Sequence, residues 1–285
     1  MPRLTPPART ILRGITWPLR ELRDGYRYLT APSRGWPSAL IIGAQRSGTS
    51  SLFKYLVRHP DVRAPVTKEV HYFDFHFRKP VRWYRGRFPY SRQLRAGALT
   101  FEASPYYLAH PLVPDRAARL LPDVKLIALL RDPVDRALSH YHHEVRDGRE
   151  SLSFAEAIER EAERLAGEEE RLGNDPEYYS FNHHRYSYTT RGLYLRQLRR
   201  WMAHYPRAQL LVLQSEWLFR NPAAATAAVH DFLGLRPFRL PSYRPYYAGH
   251  YERAMPEELR AKLVTYFAPH NCELFQWLGE HYDWS

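Results

Sequence analysis

Apolar residues in this chain fall into short continuous runs separated by segments in which they recur every three or four positions. The runs Ala39-Leu40-Ile41-Ile42, Lys125-Leu126-Ile127-Ala128-Leu129-Leu130 and Gln209-Leu210-Leu211-Val212-Leu213-Gln214 read as strands in the interior of a sheet. Helical patterns follow at residues 50–59, 134–141, 153–158, 160–171, 191–205, 223–233, 256–267 and 272–278. Pro133 sits where a first helical turn tolerates a missing N–H, and Ser153 with Glu156 forms a capping-box pattern. The Glu168-Glu169-Glu170 run reads as a solvated helical face. Gly173-Asn174-Asp175-Pro176 ends that helical stretch, and residues 178–186 make an aromatic, basic loop. Strands alternating with helices predict an α/β fold, a mostly parallel sheet flanked by helices with ligands at the carboxyl ends of the strands.

Residues 1–36 stand apart, and residues 37–285 read as a single domain. Positions 11–28 have a basic amphipathic pattern interrupted by Pro18, with no apolar run long enough to span a bilayer. Packing against the domain is the expected role. A peripheral membrane contact through Trp17 and its basic neighbours is the alternative.

A chain of 285 residues with 44% hydrophobic and 14% aromatic residues supports one large globular core. The formal net charge of +12 calls for an anionic partner. The basic residues are dispersed and no nucleic-acid motif is present, which points to a polyanionic nucleotide or an acidic glycan instead. A single cysteine, Cys272, rules out an intrachain disulfide and fits a reducing compartment.

Two loops carry the candidate chemistry. The first, Gly43-Ala44-Gln45-Arg46-Ser47-Gly48-Thr49-Ser50, links a strand to a helix and points backbone N–H groups at a phosphate. Its glycines have Walker-loop spacing, but Thr49 stands where the Walker lysine belongs, and Arg46 is the loop's cation. That pattern argues against an ATPase and suits a nucleotide whose leaving phosphate needs a cation and no Mg²⁺. The second loop, Arg131-Asp132-Pro133, follows a strand, and Ser139 lies a little over two turns into the next helix. A planar guanidinium and a hydroxyl so placed can grip a second phosphate; the alternative is an Arg131 that pairs with a carboxylate.

Taken together, the loops resemble the sulfotransferases that use 3′-phosphoadenosine 5′-phosphosulfate (PAPS), closest to the heparan sulfate 3-O- and N-sulfotransferase branch. The resemblance runs from about Leu40 to the carboxyl end. It is carried by Gly43-Ala44-Gln45-Arg46-Ser47-Gly48-Thr49, His59-Pro60-Asp61-Val62 and Lys68-Glu69-Val70-His71-Tyr72-Phe73-Asp74. Arg131-Asp132-Pro133 with Ser139-His140-Tyr141, Arg191-Gly192-Leu193-Tyr194 and Tyr282-Asp283-Trp284 complete it.

The resemblance implies the sulfotransferase fold and sulfuryl transfer to a hydroxyl or amine of a carbohydrate-type acceptor, leaving 3′-phosphoadenosine 5′-phosphate (PAP). It assigns Glu69 as the base, Arg46 to the place of the family's loop lysine at the leaving phosphate, and His71 and Asp74 to the acceptor side. Donor contacts are expected from Gln45, Arg46, Ser47, Gly48, Thr49, Ser50, Arg131, Ser139, Tyr194, Gly249 and His250. Acceptor contacts are expected from Lys68, His71, Ser104 and Arg185. Two departures matter: Ala103 replaces a family lysine, and Ala248 and His250 flank Gly249 in place of basic residues. A bacterial-type, cytoplasmic enzyme is expected, since the family's membrane anchor and carboxyl-terminal disulfide have no counterpart here.

Sulfation of a small alcohol, phenol or tyrosine belongs to the same chemistry. Other classes that remain are a P-loop phosphotransferase and a non-catalytic glycan- or nucleotide-binding relative. No metal is expected: the pairs His142-His143 and His183-His184 lack the spacing of a metal site.

Overall fold

The structure is a computed structural model that describes residues 21–244, 246 and 255–284. Its centre is a parallel four-stranded sheet. The strands are β1 (Ala39–Gly43), β2 (Phe101–Ala103), β3 (Lys125–Leu130) and β4 (Leu210–Gln214), in the spatial order β2-β1-β3-β4. Ile41 pairs with Ala103 on one side and Ile127 on the other, and Leu129 pairs with Leu213.

Alternate residues of each strand enter opposite cores. Leu40, Ile42, Leu126, Ala128 and Leu130 face one side, Ile41, Ile127, Leu129 and Leu213 the other. The first core is closed by α2 (Val113–Leu120) and α5 (Tyr194–Met202) through Val113, Ala117, Leu198 and Trp201. The second is closed by α1 (Thr49–Leu56) and α6 (Pro222–Leu233) through Leu52, Phe53, Ala225 and Val229. Burial on both faces explains why the strands carry no polar alternation.

β2 escapes the sequence pattern because Glu102 interrupts its apolar character. The carboxylate is fully buried and accepts hydrogen bonds from the hydroxyls of Tyr84 (2.6 Å), Ser104 (2.8 Å) and Tyr107 (2.5 Å). Burial raises its pKa while the three donors oppose the rise.

Helix α3 (Pro133–Arg146) begins as expected and runs further. Asp132 caps it by accepting from the N–H groups of Val134 (2.8 Å) and Asp135 (3.2 Å). The Ser153–Glu156 capping box is present. The stretch expected as one helix over 160–171 is instead two, Glu161–Leu165 and Glu168–Asn174. Nor is the Glu168-Glu169-Glu170 run simply solvated. Glu168 is buried and accepts from Tyr178 and Ser180, while Glu169 receives Arg196 and Arg200. The two expected final helices are one, α7 (Glu257–Leu278), continuous through Pro269.

Residues 21–29 are helical, and the preceding part of the expected amphipathic segment lies outside the described residues. Asp24 pairs with Arg87 at 3.0 Å, and Tyr26 meets the Tyr90 hydroxyl at 2.7 Å, tying this helix to the domain. Among the described residues no helix is long and apolar enough to cross a membrane.

Candidate active site

The carboxyl ends of β1, β2 and β3 converge where the strand order reverses, with β1 between β2 and β3. In a parallel sheet that reversal opens a crevice. The loop after β1 passes through Gln45 and Arg46 into α1. Gly48 starts the helix at φ 87° in the left-handed region, and a Cβ there would lie 3.1 Å from the Phe219 ring. Glycine takes this conformation without strain, and a Cβ would press on the half-exposed Phe219 ring. The first turn of α1 leaves N–H groups without helical partners, as at any helix start, where an anion is favoured. Ser47 and Thr49 are buried, and the Ser47 hydroxyl has no hydrogen-bond partner among the described residues. A buried hydroxyl left unmatched in such a loop fits a phosphate oxygen. Gln45, Arg46, Gly48 and Ser50 are half-buried at the rim.

The structure brings the second expected grip onto this loop. Arg46 Nε donates to Ser139 Oγ at 3.0 Å, and Arg131 Nη1 donates to the Arg46 carbonyl at 3.3 Å. Arg131 also lies 3.9 Å from Asp135, so it sits between loop and carboxylate. Tyr194 differs from the expectation of a donor contact. Its phenol is buried and donates to the Arg131 carbonyl at 2.8 Å, fixing the loop from behind. Gly249 and His250 lie outside the described residues. Tyr246, just before them, donates its N–H to Ser51 Oγ at 3.0 Å, so the chain approaches α1 there.

Glu69, His71 and Asp74 form the third part, on a segment stitched to the end of β2. The Glu69 N–H donates to the Ala103 carbonyl at 2.9 Å and the His71 N–H to Ser104 Oγ at 3.2 Å. The Tyr107 hydroxyl accepts from the N–H groups of Tyr72 (2.8 Å) and Phe73 (3.3 Å). The buried Glu102 therefore acts through Ser104 and Tyr107 to hold this segment. Arg46, Glu69 and His71 have φ of 71°, 64° and 53°, a left-handed conformation that non-glycine residues adopt at a cost of about 1–3 kcal/mol each.

His71 Nδ1 lies 2.7 Å from Asp74 Oδ2, and Nε2 lies 3.4 Å from Glu69 Oε2. Lys68 Nζ donates to Glu69 Oε1. Burial disfavours the imidazolium, but Asp74, reinforced by Glu69, lifts the His71 pKa to about 10. Burial likewise opposes ionisation of Glu69, whose side chain remains 42% exposed. The His71 hydrogen bond and the Lys68 charge outweigh it and hold the carboxyl at about 2. At neutral pH the arrangement is thus a carboxylate, an imidazolium and a second carboxylate in line.

Ser104 differs from the expected acceptor contact. It is fully buried, donates to Glu102 and accepts from His71, so its hydroxyl supports the site from within. Ala103 is also fully buried, in the second core, and lends no charge; Lys68 is the cation beside Glu69. Arg185 ends α4 (Phe181–Arg185) and lies 3.7 Å from Glu144, a carboxylate of α3.

An aromatic wall connects the Glu69 side to α4. The His71 ring stacks on Phe75 at 4.7 Å, Phe75 meets His184 at 4.7 Å, and His184 meets Tyr106 at 4.6 Å. Burial, with Arg191 and Arg185 nearby, depresses the His184 pKa, so its ring is neutral. Arg191 is buried behind this wall, 4.6 Å from the Tyr106 ring, and donates to Gln45 Oε1. Sequence reasoning gave neither Arg191 nor Glu102 a certain place in the site. The signal was the Arg-Gly pair itself: a Cβ on Gly192 would lie 2.7 Å from the Phe267 ring and 2.8 Å from Pro133, so only glycine lets this turn lie against α3 and α7.

These features agree with what comparison reveals. A sulfotransferase domain profile matches residues 37–243. The chain belongs to the sulfotransferase family. Mouse heparan sulfate glucosamine 3-O-sulfotransferase 3B1 is 31% identical over 278 residues, covering 90% of this chain and 66% of that protein. The human 3B1 protein is 30% identical over 276 residues, covering 89% and 66%. The chain thus spans just under two thirds of the length of these relatives. A solved sulfotransferase from Alicyclobacillus acidocaldarius shares 31% identity with a TM-score of 0.69, covering 87% of this chain and 98% of that one. This sulfotransferase has its α/β sheet flanked by helices, as the sequence pattern predicts.

Proposed function

We propose that this chain transfers a sulfuryl group from PAPS to a hydroxyl of a glucosamine-containing, heparan sulfate-like glycan, with Glu69 as the base. The observation that carries the reading is Glu69 beside the His71–Asp74 pair, on a segment bonded to the end of β2, the strand next to the one that leads into the loop after β1. The glycan class is supported by the substrate named for the mouse and human relatives.

PAPS, when bound, supplies an activated sulfuryl group on a good leaving phosphate. The residues suited to hold it are Ser47 and the N–H groups opening α1 for the 5′ side, with Arg131 and Ser139 for the 3′-phosphate. Arg46 adds fixed positive charge at the loop, where negative charge develops on the leaving group. A guanidinium stays protonated, so Arg46 stabilises charge without donating a proton. Glu69 accepts the proton of the attacking hydroxyl at a carboxylate oxygen. His71, held by Asp74, keeps that carboxylate oriented and its neighbour charge balanced. With its pKa held low, Glu69 is a weak resting base, and departure of Lys68 toward the incoming sulfonate would raise its basicity. The exposed ring of Tyr179 suits the apolar face of a sugar ring, and Arg185 suits its anionic groups.

Calorimetric titration with PAP, beside ADP with Mg²⁺, tests the donor half. Selective binding of PAP that Arg131→Ala weakens is the expected result. A preference for ADP with Mg²⁺ would replace this reading with phosphoryl transfer.

A further inference from the structure

We propose that Arg191 is a positioning residue that holds the donor loop and the acceptor-side wall as one unit, so that filling the donor site tightens α4. Its guanidinium faces three ways from one buried position. Nη1 donates to Gln45 Oε1 on the loop after β1. Nη2 donates at 2.8 Å to both the His183 and His184 carbonyls, the last turn of α4. Its plane lies over the Tyr106 ring, and the Tyr106 hydroxyl in turn meets His183 Nδ1 at 2.7 Å.

The route onward reaches the catalytic segment by direct ring contact: His184 to Phe75, and Phe75 to His71. Gln45 and Arg191 are 146 residues apart in sequence, and Arg191 is 3% exposed, so the link is made by the fold with little solvent to screen it. Only arginine offers donors in a rigid fork wide enough for both sides together with a flat face for the tyrosine. Lysine supplies a point charge and one reach. Gly192 fixes where the fork starts, because its backbone is pressed between Pro133 and Phe267. A contiguous chain of packed rings and hydrogen bonds of this kind carries a local constraint from one face of the crevice to the other.

The inference rests on the donor reading above, and its test separates the two. Hydrogen exchange of the full chain is followed by mass spectrometry with and without saturating PAP. In the wild-type protein PAP is expected to slow exchange in residues 45–52, and to slow it about tenfold in residues 181–186. Arg191→Lys, with PAP again at saturation, is expected to keep the protection at 45–52 and lose it at 181–186. The ratio with and without PAP is the readout, since a residue that merely supports the fold would change both states alike. Should the lysine variant fail to unfold cooperatively, Arg191→Gln, which keeps polar reach but loses the fork, cuts the same link and is read in the same way. Protection of 45–52 without 181–186 in the wild type, or undiminished protection of 181–186 in the variants, overturns the coupling and leaves the donor site standing. Absence of any PAP-dependent protection in the wild type overturns both.

Discussion

Asp74→Asn removes the charge of a carboxylate whose side chain is wholly buried and whose Oδ2 lies 2.7 Å from His71 Nδ1. Burial alone would depress the His71 pKa, yet Asp74, and after it Glu69, raise it from 6.5 to about 10. That gap, at about 1.4 kcal/mol per pH unit, amounts to about 5 kcal/mol in favour of the imidazolium. With Asp74 neutral, only Glu69 opposes the burial, and the His71 pKa should fall by about 2 pH units or more. The sign for stability follows from linkage. A histidine whose folded pKa is raised contributes fully below about 6.5, and that contribution is lost as pH rises toward 10. The wild-type unfolding free energy should therefore decline between pH 6.5 and 10 with a slope of up to about 1.4 kcal/mol per pH unit from this group, and the slope should flatten in Asp74→Asn. Nuclear magnetic resonance titration of the histidine rings, with the His71 signal identified by its loss in His71→Asn, gives the pKa. Urea unfolding across the same pH range gives the slope. A wild-type His71 titrating near 6.5, or one left near 10 by Asp74→Asn, would refute the carboxylate–imidazolium–carboxylate arrangement.

Three further perturbations probe other parts of the site. Arg131→Ala should weaken PAP about 10–100-fold in calorimetry, from loss of charge-assisted hydrogen bonds of about 1.5–3 kcal/mol. In Gly192→Ala the new methyl meets the Phe267 ring and Pro133, and urea unfolding should register a loss of about 1–3 kcal/mol. Tyr107→Phe strips the acceptor from the Tyr72 and Phe73 N–H groups and a donor from Glu102. It should cost about 1–3 kcal/mol in stability and lower kcat while PAP affinity is retained.

Local rules carried the reading of this chain far, and failed where distant residues meet. Strands β1, β3 and β4, Pro133 at the start of α3, and the capping box at Ser153 were legible because each depends on neighbours in sequence. β2 was not, since a strand of three residues with a glutamate at its centre has no pattern until Tyr84, Ser104 and Tyr107 supply donors. The same cause misled the reading of Glu168-Glu169-Glu170, whose partners Arg196 and Arg200 lie on another helix. The pattern gave two helices, 256–267 and 272–278, but α7 runs unbroken through both and through Pro269. At the site, the family motif placed Glu69, His71 and Asp74 on one segment. The backbone hydrogen bonds that hold them, and the buried role of Ser104, became visible only with β2 in place. Arg191 was legible as part of a motif and illegible as a link, because Gln45 is 146 residues away.

Transfer of labelled sulfuryl from PAPS to a heparan sulfate oligosaccharide, comparing wild type with Glu69→Gln, tests the central claim most directly. The account predicts label in the glycan, stoichiometric PAP, and a rate at least about 100-fold lower in the glutamine variant with PAP affinity preserved. Equal transfer by the two proteins would contradict the assignment of Glu69 as base. An unlabelled glycan, in a wild-type protein shown to bind PAP and the oligosaccharide, would contradict the proposed reaction itself.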